Sequence, residues 1–384
     1  MKRAAKPAAV LVTLLVAVFS FYNIAKNFGI IQTDYSYVSL VYEAEAEDRY
    51  YYSRLSENGK IAYTLVLPEI YRHSPKIEIP RLSDSDFNSL IYALSYDNPD
   101  LICFSGECRL QRTGGVYYFI PEYTHTSSEH DALMQRLESA AGKILSSQNR
   151  YSGEYAKELY LHDSLCEVCS YDYADTADLT VSSYDALVNG SAVCEGYAKA
   201  FKLLLDRAGI KSYLVTGIAR DESGKTEGHM WNVVTLSSGN YYVDPTWDDM
   251  SVIEGLPDSE HFYFNVNEQM LSRDHFEIEP SDNGCNSLAE NYFNKNGSLY
   301  EAYNSLTRDA LAKAICKGVR NGQNSCEMLF VTADAYAKAK KELVDEKKIF
   351  DVLRGAQRID SRVNFTSVEF ITSDEIMYIR FAFK

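Results

Sequence analysis

Apolar residues recur at helical spacing over residues 194–208, the clearest periodic segment of the chain. One face of this segment carries the apolar side chains Tyr197, Phe201, Leu204 and Leu205. A turn-forming Asn-Gly-Ser sequence at 189–191 precedes the segment, and Gly209 follows it. Because turn residues begin helices and glycine ends them, the pattern predicts a helix from Cys194 to Ala208. Cys194 would then lie in the first helical turn.

Extended, apolar segments follow this helix and predict three strands. They cover residues 211–219, 229–236 and 241–244, with a polar loop at 221–228 and a turn at 237–240. Strand-forming segments that are separated by a short turn favour an antiparallel hairpin. We therefore expect the helix to pack on an antiparallel sheet, which is an α+β arrangement.

The flanking regions predict two further groups of elements. Before the central segment, Ser83 and Asp86 cap a helix, and helices also run through 133–144 and 155–169. Strands are expected near Ile102 and over 116–120. After Gly284 the predicted order is α-β-α-β-β, with helices over 306–319 and 333–350 and strands over 326–332, 363–371 and 376–383. This order is typical of a small α/β domain.

Three residues that can cooperate in nucleophilic catalysis occur in chain order: Cys194, His229 and Asp244. A thiol reacts well only after it loses its proton, an imidazole can accept that proton, and a carboxylate can orient the imidazole. The start of a helix stabilises a thiolate. The N–H groups of the first turn have no partner within the helix, and the N–H of Cys194 could bind a developing oxyanion.

The predicted hairpin brings His229 and Asp244 to one face of the sheet. With an even-numbered loop, Asp244 lies opposite Trp231 or Val233, and both share a face with His229. At about 3.4 Å per residue, an offset of roughly 7–14 Å along the strands remains. Sheet twist or a bulge must close this offset if the two side chains are to meet.

Three sequence blocks, GSAVCEGYAKAF, GHMWNVV and YYVDPTWDD, resemble the transglutaminase-like superfamily, whose fold resembles that of papain-type cysteine proteases. The resemblance covers about residues 150–275 and includes the HFYFN segment at 261–265. It implies a papain-like α+β core with Cys194 as nucleophile, His229 as general base and acid, and Asp244 as the orienting carboxylate. This superfamily includes transglutaminases, peptidases, deglycosylating amidases and members without activity.

The same blocks suggest which aromatic residues bind substrate. Trp231 and Trp247 are expected to shield a thioester and to shape the channel for the acyl acceptor, and Tyr197 to pack the site helix and touch substrate. Packing within the hairpin is the alternative role for both tryptophans.

Three functions are compatible with these residues. The first is acyl transfer through a thioester, such as the crosslinking of protein glutamine to lysine. The second is hydrolysis of peptide or amide bonds in cell-wall or extracellular peptides by a cysteine peptidase or amidase. The third is a non-catalytic extracellular binding scaffold that retains the fold. Protein or peptide partners are common to all three.

Charge and composition narrow the partners further. The 384-residue chain has a formal net charge of −16, which disfavours nucleic acid as a partner and suits a cationic one, such as a lysine-bearing acceptor. The sequence has neither a nucleotide fingerprint nor a D-x-D-x-D-G calcium loop. We therefore expect neither a cofactor nor a metal.

The eight cysteines leave seven besides Cys194. Local disulfides are expected between Cys103 and Cys108 and between Cys316 and Cys326, because export permits disulfides. A C-x-x-C pair at 166–169 can indicate metal or redox chemistry. It lies late in a predicted helix and has no Cys/His-rich surroundings, which disfavours both.

The N-terminus predicts export. Lys2, Arg3 and Lys6 precede an uncharged apolar segment over 8–22, typical of a secretory signal or an uncleaved membrane anchor with the body outside the cytoplasm. We expect this segment over 1–30, an N-terminal mixed domain over 35–125, the catalytic domain over 129–280 and a C-terminal α/β domain over 286–384.

Overall fold

The computed structural model describes residues 16, 18–26, 28, 33–35, 49–174, 180–221, 223–250 and 261–384. The chain divides into two compact units. One unit contains residues 1–142 and 182–184, and the other contains residues 143–181 and 185–384. The second unit carries all three residues of the predicted catalytic group.

The first unit is a small antiparallel sheet with helices. Its helices are α1 (Tyr50–Ser53), α2 (Glu57–Tyr71), α3 (Asp84–Tyr96) and α4 (Ser127–Leu145), the last of which crosses the unit boundary. Its strands are β1 (Ile77–Ile79), β2 (Phe104–Thr113) and β3 (Val116–Tyr123), in the order β1-β3-β2. Ser83 caps α3 as predicted, by accepting from the N–H of Asp86. The strand expected near Ile102 begins two residues later, at Phe104, because the N–H of Ile102 bonds to the carbonyl of Asp100 in a turn.

The second unit contains a four-stranded antiparallel sheet with a helix packed on it. Its helices here are α5 (Glu154–Val168), α6 (Cys194–Ala208), α7 (Pro245–Met250) and α8 (Glu268–Leu271). Two short strands, β4 (Ser170–Tyr171) and β5 (Ser191–Ala192), pair in parallel. The main strands are β6 (Lys211–Arg220), β7 (Thr226–Leu236), β8 (Gly239–Val243) and β9 (His275–Glu279), in the order β8-β7-β6-β9. Helix α6 packs on β6 and β7, so the predicted α+β arrangement is confirmed.

Local sequence explains the bounds of these elements. Helix α6 covers the predicted range and ends at Gly209, whose φ of 74° is a left-handed conformation that suits glycine. Strand β7 begins three residues earlier than predicted, at Thr226. The polar loop before it is short, since the N–H of Asp221 bonds to the carbonyl of Lys225. Only Ser237 and Ser238 separate β7 from β8.

The C-terminal part of the second unit forms a separate mixed sheet. Its helices are α9 (Tyr292–Asn296), α10 (Ser305–Arg320), α11 (Ala333–Ala339) and α12 (Ile349–Ile359). Its strands are β10 (Leu299–Tyr300), β11 (Ser325–Phe330), β12 (Val368–Ser373) and β13 (Tyr378–Phe383), in the order β10-β11-β13-β12. The single helix predicted over 333–350 is wrong. A wide helical turn over Lys340–Asp345 follows α11, and a positive φ of 56° at Lys347 ends it before α12 begins.

Two further expectations concern the cysteines and the N-terminus. Cys103, Cys108, Cys316 and Cys326 are free thiols, so neither predicted disulfide forms. The sulfur of Cys316 instead lies 3.3 Å from the carbonyl oxygen of Ala356. The predicted signal or anchor falls largely outside the described residues. Among the helices of the described part of the chain, none combines the length and the hydropathy that a bilayer crossing requires.

Candidate active site

Cys194 is the first residue of α6 and is half-buried. The chain reaches it through β5, and the N–H of Val193 then bonds to the carbonyl of Thr180. Val193 has no side-chain oxygen and gives the helix no side-chain cap. The first-turn N–H groups therefore lack the acceptor that a capping serine or aspartate would supply, and they lie beside the thiol.

His229 lies on β7, and a hydrogen bond joins this strand to α6, the helix that carries Cys194. The side-chain amide of Asn232 donates to the carbonyl of Ala198 over 2.9 Å. The imidazole of His229 is 6% exposed. The side chain of Cys194 lies close enough to the imidazole to help raise the pKa of His229 through hydrogen bonding and charge. The strand and the helix thus bring the thiol and the imidazole together.

Asp244 follows β8 and is fully buried. Its Oδ2 lies 2.7 Å from Nε2 of His229. Its Oδ1 accepts hydrogen bonds from the N–H groups of Thr246 at 3.0 Å and Trp247 at 3.3 Å. Asp244 therefore caps α7, and Pro245 suits the first position of that helix because it has no N–H to satisfy.

The strand register explains how the group assembles. Asn232 pairs with Val243, so one more step along the hairpin places Asp244 opposite Trp231, one of the two predicted positions. His229 lies on β7 two residues before Trp231, and both side chains are on the same face of the sheet. Because Nε2 of His229 faces Asp244, Nδ1 is the ring nitrogen that remains for the thiol.

The charges of the site favour an imidazolium between two acids. Burial of His229 opposes its charged form, but the charge and hydrogen bond of Asp244, with a smaller contribution from Cys194, raise the pKa of His229 to about 10. Burial also opposes ionisation of Asp244, yet His229 and His275 hold the pKa of that carboxyl well below its usual range. The carboxylate thus stabilises the protonated imidazole.

The sequence analysis assigns no role to three residues of the site. They are His275, Asp274 and Tyr263. Nε2 of His275 lies 3.2 Å from Oδ2 of Asp244, and Nδ1 lies 2.5 Å from Oδ1 of Asp274. The hydroxyl of Tyr263 donates to Oδ2 of Asp274 over 2.8 Å. Tyr263 belongs to the HFYFN segment, His275 begins β9, and Asp274 immediately precedes that strand. The sequence shows that these residues can form hydrogen bonds and carry charge. It does not show the strand order that brings them to Asp244.

A known family matches the part of the chain that carries Cys194, His229 and Asp244. Residues 141–245 match the model of the transglutaminase-like superfamily. The chain carries a transglutaminase-like domain. The match contains Cys194, His229 and Asp244 and ends before His275. A search of curated proteins finds no match.

Two solved structures are similar to the chain at low identity. A crystal structure of a TGase has 16% identity and a TM-score of 0.26, and the match covers 48% of this chain and 53% of that one. The periplasmic domain of TgpA from Pseudomonas aeruginosa, bound to ethylmercury, has 19% identity and a TM-score of 0.25, with 36% and 58% covered. The chain therefore spans between half and three fifths of the length of these two proteins.

The aromatic residues of the transglutaminase-like domain surround the two histidines. The ring of Trp231 stacks on His229 with centroids 5.7 Å apart, and the ring of Trp247 lies 5.9 Å from it. Trp231 and Tyr197 are 0% exposed, whereas Trp247 is half-buried. Of the three aromatic residues expected to touch substrate, Trp247 therefore offers surface to it, and the other two pack beneath the site.

A cavity of about 700 Å³ lies in the second unit and is lined by residues of α5, β4 and α7. Tyr171 lines it, and burial together with the nearby charge of Cys194 raises the pKa of Tyr171 to about 12. The cavity wall also carries the carboxylates Asp163, Glu167 and Asp249. Its lining is therefore acidic and aromatic.

Two clusters among the described residues bring three potential metal-donor atoms within 4.8 Å of one another. Their members are His229, Asp244 and His275 in one, and His162, Asp163 and His261 in the other. In the second cluster, Oδ1 of Asp163 lies 2.7 Å from Nε2 of His261 and 3.1 Å from Nδ1 of His162. Hydrogen bonds between imidazoles and carboxylates account for both arrangements. A metal in the first cluster would compete with the bond between His229 and Asp244.

Proposed function

We propose that the transglutaminase-like domain catalyses cysteine-dependent acyl transfer at carboxamide groups of proteins or peptides, through a thioester on Cys194. The observation that carries this proposal is the convergence of Cys194, His229 and Asp244 at the start of α6. The family match supports a cysteine-dependent activity in general. Hydrolysis uses the same thioester with water as the acceptor.

The first half of the reaction forms the thioester. The thiolate of Cys194 attacks the carbonyl carbon, and the N–H of Cys194 stabilises the oxyanion at the helix start. His229 then gives its Nδ1 proton to the leaving ammonia or amine as the C–N bond breaks. Asp244 holds the ring through Nε2 during this transfer.

The second half of the reaction consumes the thioester. His229, now neutral, accepts a proton from the incoming nucleophile as it attacks the carbonyl carbon. A lysine amine yields a new amide, and water yields a carboxylic acid. In both cases the Cys194 sulfur leaves as thiolate and His229 is again protonated. The cycle therefore needs no other reactant.

Two features support an amine as the acceptor. The cavity that Tyr171 lines also carries Asp163, Glu167 and Asp249 on its wall, and the chain has a net charge of −16, so a cation is attracted to this region. The half-buried ring of Trp247 packs close to His229 and reduces access of water to a thioester.

The domain and location assignments belong to the same proposal. The catalytic domain is proposed to cover residues 129–280, with separate domains over 35–125 and 286–384. Basic residues followed by the apolar segment at 8–22 support an extracytoplasmic location, secreted or anchored. The substrate would then be an extracellular protein or peptide.

A pair of product measurements tests the proposal. The full chain is incubated with a glutamine-containing peptide and a fluorescent primary amine, and both amine incorporation and ammonia release are followed. Transfer gives incorporation together with ammonia, and hydrolysis gives ammonia alone. Cys194→Ala should abolish both products, and Cys285→Ala, a buried thiol elsewhere in the unit, should retain them.

Two outcomes would contradict the proposed acyl transfer through Cys194. Product formation that survives in Cys194→Ala would overturn Cys194 as the nucleophile. Absence of either product over a proteome-wide panel of substrates, with the wild-type chain folded, would favour the binding scaffold.

A further inference from the structure

Both ring nitrogens of His275 face carboxylate oxygens. Nε2 lies 3.2 Å from Oδ2 of Asp244, and Nδ1 lies 2.5 Å from Oδ1 of Asp274. A carboxylate only accepts hydrogen bonds, and a neutral imidazole can donate from only one nitrogen. Two hydrogen bonds to two carboxylates therefore require an imidazolium at His275.

The surroundings fix Asp274 as an acceptor. The hydroxyl of Tyr263 donates to Oδ2 of Asp274, which leaves Oδ1 for His275. Tyr263 is itself held, because its N–H donates to Oδ1 of Asp248 over 2.8 Å and its carbonyl accepts from the N–H of Asp244 over 3.1 Å. Burial opposes the charge on His275, but Asp244 and Asp274 raise the pKa of its ring above the usual value.

Aromatic rings keep water away from this charge. The centroids of Trp231 and Trp247 lie 4.9 Å and 4.6 Å from that of His275, and Tyr263 lies at 5.6 Å. His275 is 1% exposed. In such a dry environment a charge acts strongly on its neighbours. One of these neighbours is the ring of His229, whose centroid lies 5.5 Å from that of His275.

We propose that His275 is a positioning residue whose fixed positive charge shares the carboxylate of Asp244 with His229, and so sets the pH range in which Cys194 and His229 form an ion pair. This inference rests on the proposed function, because it assigns a role relative to that nucleophile. His275 touches neither substrate nor the reacting atoms in this account. It acts through Asp244.

The expected effect has a definite sign. The charge of His275 disfavours a second cation at His229 and favours the thiolate at Cys194. Without it, the thiolate of Cys194 should be less stabilised and His229 should hold its proton to a higher pH, so the pH range of the ion pair should move upward. Several other titratable groups lie around His229 and His275, on the segments that pack against them. They are Tyr171, Asp244, Asp248, Tyr263 and Asp274. Replacing His275 by glutamine leaves all five of these side chains in the protein.

The experiment measures alkylation of Cys194 by iodoacetate between pH 4 and 11, with peptide mass spectrometry. Because iodoacetate is an anion, the rate rises as Cys194 deprotonates and falls when His229 loses its proton. His275→Gln keeps a donor for Asp244 but removes the charge, so both limbs of the profile should move upward by roughly one pH unit. A residue with a merely structural role would lower stability without moving the limbs.

A matched control is available in the same unit. His162 is also fully buried, and its ring nitrogens lie 3.1 Å from Asp163 and 3.1 Å from Asp248. His162→Gln therefore removes a comparable buried charge that does not contact Asp244, and it should move both limbs less than His275→Gln does. Limbs that shift equally in both variants, or in neither, would overturn the inference.

A second measurement does not depend on a folded variant. Nitrogen-15 chemical shifts of the His275 ring in the wild-type chain at pH 7 should show protons on both nitrogens, and a neutral tautomer would overturn the inference. Failure of the proposed function looks different. In that case His229→Gln would give the wild-type profile for Cys194, whatever the state of His275.

Discussion

Nε2 of His229 lies 2.7 Å from Oδ2 of Asp244, although the strands do not place these two residues opposite each other. The hairpin register puts Asp244 opposite Trp231, two residues from His229 along β7. Asp244 closes the offset because it has left the strand and caps α7. The contact that orients the imidazole therefore depends on the turn from strand to helix at Asp244-Pro245.

Replacing Asp244 by asparagine should disable the site more than it disturbs the fold. Asparagine retains a carbonyl oxygen for the N–H groups of Thr246 and Trp247, but it cannot stabilise a protonated His229. We expect the rates of amine incorporation and of Cys194 alkylation at pH 7 to fall by about 10²–10⁴-fold. Asp249→Asn, at the other end of α7, is the control for the alkylation rate, because asparagine keeps an acceptor for the hydroxyl of Tyr197 and leaves Asp244 unchanged. Equal rates in Asp244→Asn and the wild type would refute the assignment.

The His229–Asp244 pair should make folding stability depend on pH. The folded-state pKa of His229, about 10, lies above its unfolded value of about 6.5. Its contribution is therefore fully present below about pH 6.5 and is lost as pH rises towards 10. The Asp244 contribution is present above about pH 4 and is lost as pH falls further. Thermal melting of the wild type should show a decline in Tm from pH 6.5 to 10, which should be smaller in His229→Gln. Parallel curves would contradict this prediction.

Glu158 should weaken the fold as pH rises. It is 0% exposed, and its Oε2 accepts from the amide of Asn265 over 2.9 Å. Burial, partly offset by this hydrogen bond, raises the pKa of Glu158 to about 8. Because the pKa of this carboxyl is raised on folding, the free energy of unfolding of the protein should fall between about pH 4.5 and pH 8.

Glu158→Gln keeps the acceptor for Asn265 and removes the ionisation. Its free energy of unfolding relative to wild type should therefore improve from pH 5 to pH 8, by up to about 4 kcal/mol. Urea unfolding of both proteins at the two pH values measures this difference. The prediction fails if that difference is independent of pH.

Gly217 makes room for the ring beneath both histidines. It pairs with His229 across β6 and β7, and a Cβ atom there would lie 2.7 Å from Cη2 of Trp231 and 2.6 Å from the carbonyl oxygen of Phe276. Gly217→Ala should therefore destabilise the fold by about 1–3 kcal/mol and slow alkylation of Cys194. Gly228→Ala, beside His229 with open space around it, is the matched control and should change both quantities less.

The sequence pattern predicted the local elements of the site well. The helical period and Gly209 delimited α6, and the hairpin fell on β7 and β8. Propensity and spacing act over short distances, so a helix start at Cys194 and a strand over 241–244 could be inferred without tertiary contacts, although the strand ends one residue earlier, at Val243. The family resemblance supplied the order Cys194, His229 and Asp244, and the match over 141–245 confirms the resemblance.

The remaining features depend on contacts between distant segments. His275 reaches Asp244 because β9 pairs with β6 on the side away from β7, with His275 opposite Ala219 and His229 opposite Gly217. No local period encodes that strand order. The burial of Trp231 likewise follows from the missing side chain at Gly217. Spacing alone also suggested the Cys316–Cys326 disulfide, whereas packing directs Cys316 towards the carbonyl of Ala356.

The alkylation rate of each of the eight cysteines by iodoacetamide at pH 7, resolved by peptide mass spectrometry, tests the activation of Cys194 most directly. Cys108 is half-buried like Cys194, but burial raises its pKa to about 12, so it serves as an internal comparator. We predict that Cys194 reacts at least about 100-fold faster than Cys108 and that His229→Gln removes most of this difference. Similar rates for the two cysteines in the wild type, or a fast Cys194 that is indifferent to His229, would contradict the proposed thiolate–imidazolium pair.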